Sequence, residues 1–169
     1  ILLIILAVNP IVSQESLSGK QEKQMLEKAE FYYEDEESKN IPKALDLFEK
    51  LSKNKPSDPY YKLMKGICYT YFKNKKEEAL TTLLEVKELN SSFNEVNFYL
   101  GRAYAVNHQF DKAIETYQSY LTSDDISDDQ KALTRQNIIY CQNAKEYTKD
   151  SVAVEIVSLG SPINTDHSE

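Results

Sequence analysis

Leu100-Gly101-Arg102-Ala103-Tyr104, followed by Phe110, Ala113, Tyr117 and Tyr120, is the stretch that decides the fold. Its apolar and small residues recur at intervals of three and four, the spacing that stacks side chains on one helix face. Two helices fit this stretch, with the break at Asn107-His108-Gln109. Gly101 and Ala113 are small where a large apolar residue would be ordinary. That marks a close crossing of two helices, which a bigger side chain would push apart.

The same pattern recurs upstream. Ala44, Ala79 and Ala113 each open a second helix, at spacings of 35 and 34 residues. Ala29, Gly66 and Gly101 each sit in a first helix, at spacings of 37 and 35. Tyr32, Tyr69 and Tyr104 follow those small residues by three. Phe48, Leu83 and Tyr117 follow the alanines by four, and Leu51, Val86 and Tyr120 come three further on. A repeat of this length in helical hairpins cannot bury its apolar face alone, so neighbours must stack.

These residues resemble the tetratricopeptide repeat family, whose unit is about 34 residues in two helices. Units fall at 22–58, 59–93 and 94–127, with a cap helix at 128–148 inside a domain of residues 14–150. The family's Trp is absent from all units, and Pro56 closes only the first. The resemblance implies an all-α, right-handed α-solenoid of three helix pairs with a C-terminal cap and an extended tail. The cap is expected to cover the last hairpin with Leu133, Ile138 and Cys141, and to carry Lys131, Arg135 and Lys145 on its outer face.

The helix limits are legible. The spacing predicts helices at about 18–36, 41–54, 59–72, 75–89, 94–106, 110–122 and 128–148. Asp58-Pro59 and Asn40-Ile41-Pro42 are helix entries. Ser92 to Glu95 and Ser127 to Gln130 have capping-box spacing.

The ends differ. Ile1 to Val8 is an apolar block followed by Asn9, Pro10 and a polar switch, as in the end of a secretory signal peptide cleaved after Ser13. Residues 1–13 are therefore expected to be a partial leader. From Ser151 to Leu159 the sequence is β-branched, then turns at Gly160-Ser161-Pro162, which predicts a strand and a turn. Cys141-Gln142-Asn143-Ala144, this strand, and Leu159-Gly160-Ser161-Pro162-Ile163-Asn164-Thr165 are together similar to a second architecture. It is that of the tetratricopeptide, β-propeller and OmpA-like envelope proteins of Bacteroidota, some of them in the type IX secretion apparatus. On that resemblance residues 151–169 are a linker and the start of a truncated propeller. A periplasmic, outer-membrane-associated scaffold is implied, touching peptidoglycan only through a C-terminal domain beyond residue 169.

Composition limits the function classes. The 169 residues carry 27 acidic and 20 basic side chains, a net charge of −7, which argues against a nucleic-acid face. At 41% hydrophobic the chain can build a core. No apolar run reaches the roughly 18 residues of a membrane span. Two cysteines and two histidines make neither a disulfide framework nor a Cys/His metal site. All 12 tyrosines lie between Tyr32 and Tyr147.

No candidate chemistry stands out. His108 reads as a turn residue tolerating positive φ rather than a base, since no acid or nucleophile is placed beside it. Cys68 and Cys141 sit on first helices two units apart, too far for a disulfide. Asp124, Asp125, Asp128 and Asp129 lack the turn Gly of a calcium loop and read as charge at a helix start. Asn90-Ser91-Ser92 reads as linker and cap rather than a glycosylation site.

The first-helix face is the most informative surface. It is predicted to carry Leu26, Glu30 and Tyr33, then Leu63, Ile67, Thr70 and Tyr71, then Phe98, Arg102, Ala105 and Val106. The Lys, Asn and Arg set with which chaperone adaptors grip a terminal carboxylate is absent. An apolar, Tyr-lined groove with Arg102 suits a helix or an extended protein segment. The same set also suits packing between helices, and both readings stay open. Expected site residues are thus Leu63, Ile67, Thr70, Tyr71, Phe98, Arg102 and Val106, with no cofactor and no metal. The expected partner is a protein or peptide: another envelope protein or the chain's own propeller. A non-enzymatic scaffold is the reading that follows. The alternatives are a cytoplasmic adaptor, or an accessory domain of an enzyme whose catalytic part lies elsewhere.

Overall fold

A computed structural model describes residues 17–35, 40–90 and 93–149. The leader at 1–13, Ser92 and the strand at 152–159 lie outside the described residues. Those described fold into seven helices and no strand: α1 (Gly19–Glu34), α2 (Ile41–Asn54), α3 (Pro59–Tyr69), α4 (Lys76–Leu89), α5 (Asn94–Val106), α6 (Phe110–Leu121) and α7 (Asp128–Lys149). A short 3-10 turn, Lys73–Lys75, precedes α4. Each helix packs on its neighbours in sequence from α1 to α7, and α5 also touches α7. None of the described helices is long and apolar enough to cross a membrane.

Local chemistry sets the helix starts. Ser18 and Gln21 cap α1 reciprocally, the Ser18 N–H donating to Gln21 Oε1 at 2.9 Å. Asn40 Oδ1 accepts from the Lys43 N–H at 3.1 Å, ahead of Pro42 in the first turn of α2. Asp58 Oδ1 accepts from the Tyr60 and Tyr61 N–H groups at 3.0 and 3.2 Å. Ser127 and Gln130 repeat the box before α7, with the Gln130 N–H 3.2 Å from Ser127 Oγ. Each arrangement satisfies donors that a helix start leaves open.

α3 ends three residues before the predicted Phe72. The N–H groups of Thr70, Tyr71 and Phe72 donate to carbonyls three residues back, at 3.0, 3.1 and 3.1 Å. The Thr70 hydroxyl donates to the Ile67 carbonyl at 2.7 Å. These bonds tighten the chain out of α geometry. The α5–α6 turn follows the positive-φ expectation: His108 has φ 58°. Its N–H donates to the Ala105 carbonyl at 3.0 Å and that of Gln109 to the Tyr104 carbonyl at 2.9 Å, a Schellman closure.

The repeated small residues are the crossing points. Ala29, Ala44, Ala79 and Ala113 are fully buried. A Cβ on Gly66 would meet Leu83 at 3.0 Å, and one on Gly101 would meet the Tyr117 ring at 2.7 Å. Phe48, Leu51, Leu83, Val86, Tyr117 and Tyr120 fill the spaces beside them. One apolar core runs from α1 to α5, a smaller one joins α6 and α7, and Tyr104 packs against both.

Tyrosine hydroxyls supply polar ties between helices. Tyr60 donates to Glu30 at 2.8 Å, Tyr61 to Glu22 at 2.6 Å and Tyr69 to Glu49 at 2.7 Å. Burial, then the carboxylate partner, pushes all three phenols above their usual range. Cys68 on α3 and Cys141 on α7 are buried thiols, not joined to each other.

The cap helix is rotated from its expected setting. Ile138 and Cys141 pack on the last hairpin, but Leu133 is 52% exposed and Thr134 is fully buried in its stead. Lys145 is exposed but reaches Asp111 of α6, and Lys131, partly buried, lies near Asp128 in the first turn of α7. Arg135 is exposed as expected.

Candidate functional site

A cleft of about 630 Å³ opens along α5. Tyr33 of α1 and Tyr71, just past α3, form one end. Phe98, Tyr99, Arg102, Ala105 and Val106 of α5 form the floor. Phe110 and Tyr117 come from α6, and Leu133, Asn137, Tyr140, Cys141 and Ala144 from α7. Phe98, Tyr99 and Leu133 are shared with an adjoining cavity of about 140 Å³, which Glu95, Tyr120 and Gln130 complete.

The geometry is aromatic. The Phe98 ring lies 5.3 Å from Tyr99, edge-on, and 5.8 and 5.7 Å from Tyr117 and Tyr120. The tight turn that ends α3 leaves Tyr71 40% exposed, with the Arg102 guanidinium carbon 4.4 Å from its ring centre. At that distance the contact is a cation–π stack. Tyr33, Tyr71 and Tyr99 meet through their hydroxyls, and burial followed by these neighbours pushes the Tyr33 phenol far up. Burial likewise raises Tyr99. These phenols are therefore neutral hydrogen-bonding groups.

The expected set divides. Tyr71, Phe98, Arg102 and Val106 line the cleft, as do Tyr33 and Ala105. Leu63, Ile67 and Thr70 are corrected to the core: they are 3%, 2% and 7% exposed. α3 is packed on both sides, against α2 and α4, so Tyr61, Met64, Cys68 and Tyr69 are buried with them. Only the chain beyond its last turn reaches the cleft. Sequence reasoning missed Tyr99 and the α7 wall. The spacing of Leu133, Tyr140 and Tyr147 was the available signal for that wall, since they share one helix face.

Little in the cleft supports bond-making chemistry. Burial pushes the Cys141 thiol up, which suppresses the thiolate a nucleophile needs. His108 lies outside the cleft, edge-on to Phe110 at 5.7 Å, in a separate cavity of about 560 Å³ with Lys112, Lys145 and Lys149. No cluster of His, Cys, Asp or Glu that could hold a metal occurs among the described residues. What the arrangement offers is an apolar, aromatic recess with one cation and several hydroxyl donors, the composition of a recognition surface. No family model matches the chain, and no curated protein matches it.

Proposed function

We propose that the chain is a non-enzymatic protein-interaction scaffold whose α5–α7 cleft docks a protein segment. The observation that carries this reading is the cleft itself: Tyr71, Phe98, Tyr99, Arg102 and Tyr140 converge on one recess. Aromatic and Arg side chains are the anchors most often found at the centre of protein interfaces. No cluster of His, Cys, Asp or Glu that could hold a metal competes with it among the described residues.

In the same proposal the seven helices are a right-handed tetratricopeptide-type solenoid of three pairs and a cap. The Gly66–Leu83 and Gly101–Tyr117 contacts support it, because each half of the pair recurs about one unit later. The apolar block Ile1–Val8 and the resemblance of the C-terminal stretch to propeller-bearing envelope proteins support a periplasmic, outer-membrane-associated setting.

Selection of linear peptides from a display library against the 169-residue chain tests the docking reading. Enriched peptides should lose binding to Tyr71→Ala and Tyr140→Ala, whose side chains are 40% and 60% exposed and whose loss leaves helicity intact. Leu84→Ala and Leu89→Ala, on α4 outside the cleft, are the controls. Equal damage from the controls would place docking on the other side of the molecule.

A further inference from the structure

Building on the docking reading, we infer that the cleft selects an internal protein segment in which a side-chain carboxylate stands beside an apolar anchor, the carboxylate pairing with Arg102. Arg102 is the one charged residue lining the cleft among the described residues. The described ion pairs all join lysines to Asp or Glu and leave Arg102 out. Glu95, two turns earlier on α5, borders the adjoining small cavity instead. In a chain of net charge −7, a cation without an acidic partner in an aromatic recess runs against the surface trend.

Geometry favours a carboxylate. The Arg102 guanidinium carbon lies 4.4 Å from the Tyr71 ring centre, and no described ion pair takes up its forked N–H edge. That edge matches two oxygens of one carboxylate. A neutral oxygen would return weaker hydrogen bonds to those donors than a carboxylate, an apolar group would return none, and a cation would be repelled. The pair therefore contributes selectivity, while Phe98, Tyr140 and Leu133 supply apolar contact.

An internal segment is favoured over a chain terminus. Capture of a terminal carboxylate uses nests of open backbone N–H groups. The walls here are mostly helix, with N–H groups bonded internally, and the Tyr71 N–H donates to the Cys68 carbonyl at 3.1 Å. One cation remains, enough for one side chain.

The test uses the display-selected peptides, synthesised with Glu or Asp exchanged for Gln or Asn, and with free or amidated C-termini. Against the wild-type chain the exchange should weaken binding roughly tenfold or more, the usual worth of a hydrogen-bonded charge. Amidation should change nothing. Against Arg102→Gln the two forms should bind alike. Should that variant fail to fold, the peptide exchange on the wild type decides alone. Cleft-dependent peptides indifferent to the exchange would overturn this inference and leave the docking reading standing. Binding lost on amidation would overturn the internal segment in favour of a terminus. Peptides indifferent to Tyr71→Ala and Tyr140→Ala would overturn the docking reading, and this inference with it.

Discussion

Gly101 of α5 lies against the ring of Tyr117 of α6 so closely that an added Cβ would stand 2.7 Å from both Cδ1 and Cε1. Tyr117 is 2% exposed and packed among Phe98, 5.8 Å away, Ala113 and Cys141. The ring has nowhere to go. One unit earlier, a Cβ on Gly66 would stand 3.0 Å from Leu83 Cγ and Cδ2 and 3.3 Å from Thr82 Cγ2, contacts that a shift of a few tenths of an ångström relieves.

The two glycines should thus respond differently. Replacing a helical Gly by Ala gains about 1 kcal/mol of propensity. At Gly66 that gain should roughly offset the contact, leaving the urea midpoint nearly unchanged. At Gly101 the overpacking, about 1–3 kcal/mol, should win for Ala and more so for Leu. Urea unfolding of Gly66→Ala, Gly101→Ala and Gly101→Leu checks the order, and an unchanged midpoint for Gly101→Leu would contradict the crossing.

Glu22 couples three helices. Its carboxylate holds Lys55 at 2.6 Å and accepts from the Tyr61 hydroxyl at 2.6 Å. Lys55 first, then Tyr61, holds it below the ordinary value of 4.5. A depressed native value means the contribution is complete above the unfolded value and disappears as pH falls through the native one. The advantage of wild type over Glu22→Gln in urea should be present near pH 7 and be lost as the solution is acidified below the ordinary value of 4.5. An advantage that persists in acid would show that packing, not charge, does the holding.

How much was legible follows from where the information is local. Helix starts were readable because Asn40, Asp58 and Ser127 cap within three residues of themselves. The crossings were readable because Gly66 and Gly101 have no other reason to recur. The end of α3 was not, because Thr70 closes it through its hydroxyl, a bond any helical Thr could make. Nor was the fate of Leu63 and Ile67: helical spacing says which residues share a face, and only packing says whether that face is covered. Tyr71, Phe98 and Arg102 were legible together because the turn just past α3 and the helix α5 present them to the same space.

His108 offers a test of the α5–α6 turn. At φ 58° a non-glycine side chain sits in the left-handed region. Gly carries no steric cost there. His108→Gly should leave stability unchanged or raise it by about 0.5–1 kcal/mol, the usual scale of a relieved left-handed residue. His108→Val should lower it, because a β-branched residue tolerates that region worst. Thermal unfolding of both variants decides, and a loss for Gly would mean the edge contact with Phe110 outweighs the backbone.

The setting of α7 distinguishes stability from binding within a single helix. Leu133 and Tyr140 are two turns apart, as are Thr134 and Cys141, so the two rows lie side by side. The structure buries the Thr134 row, at 0% and 4% exposed, and leaves Leu133 and Tyr140 at 52% and 60%. A buried hydroxyl is tolerable there because Thr134 donates to the Gln130 carbonyl at 2.7 Å. Ile138 packs with Cys141 on Ala113 and Tyr117. Leu133→Ala should therefore cost less than about 0.5 kcal/mol, as at other exposed positions. Ile138→Ala should cost about 1–3 kcal/mol, since it removes apolar contact from the core. The ranking should reverse in peptide binding, where Leu133→Ala weakens capture and Ile138→Ala, once corrected for folded fraction, does not. If Leu133→Ala proves the more destabilising, α7 sits one residue round from this setting, and the cleft loses its third wall.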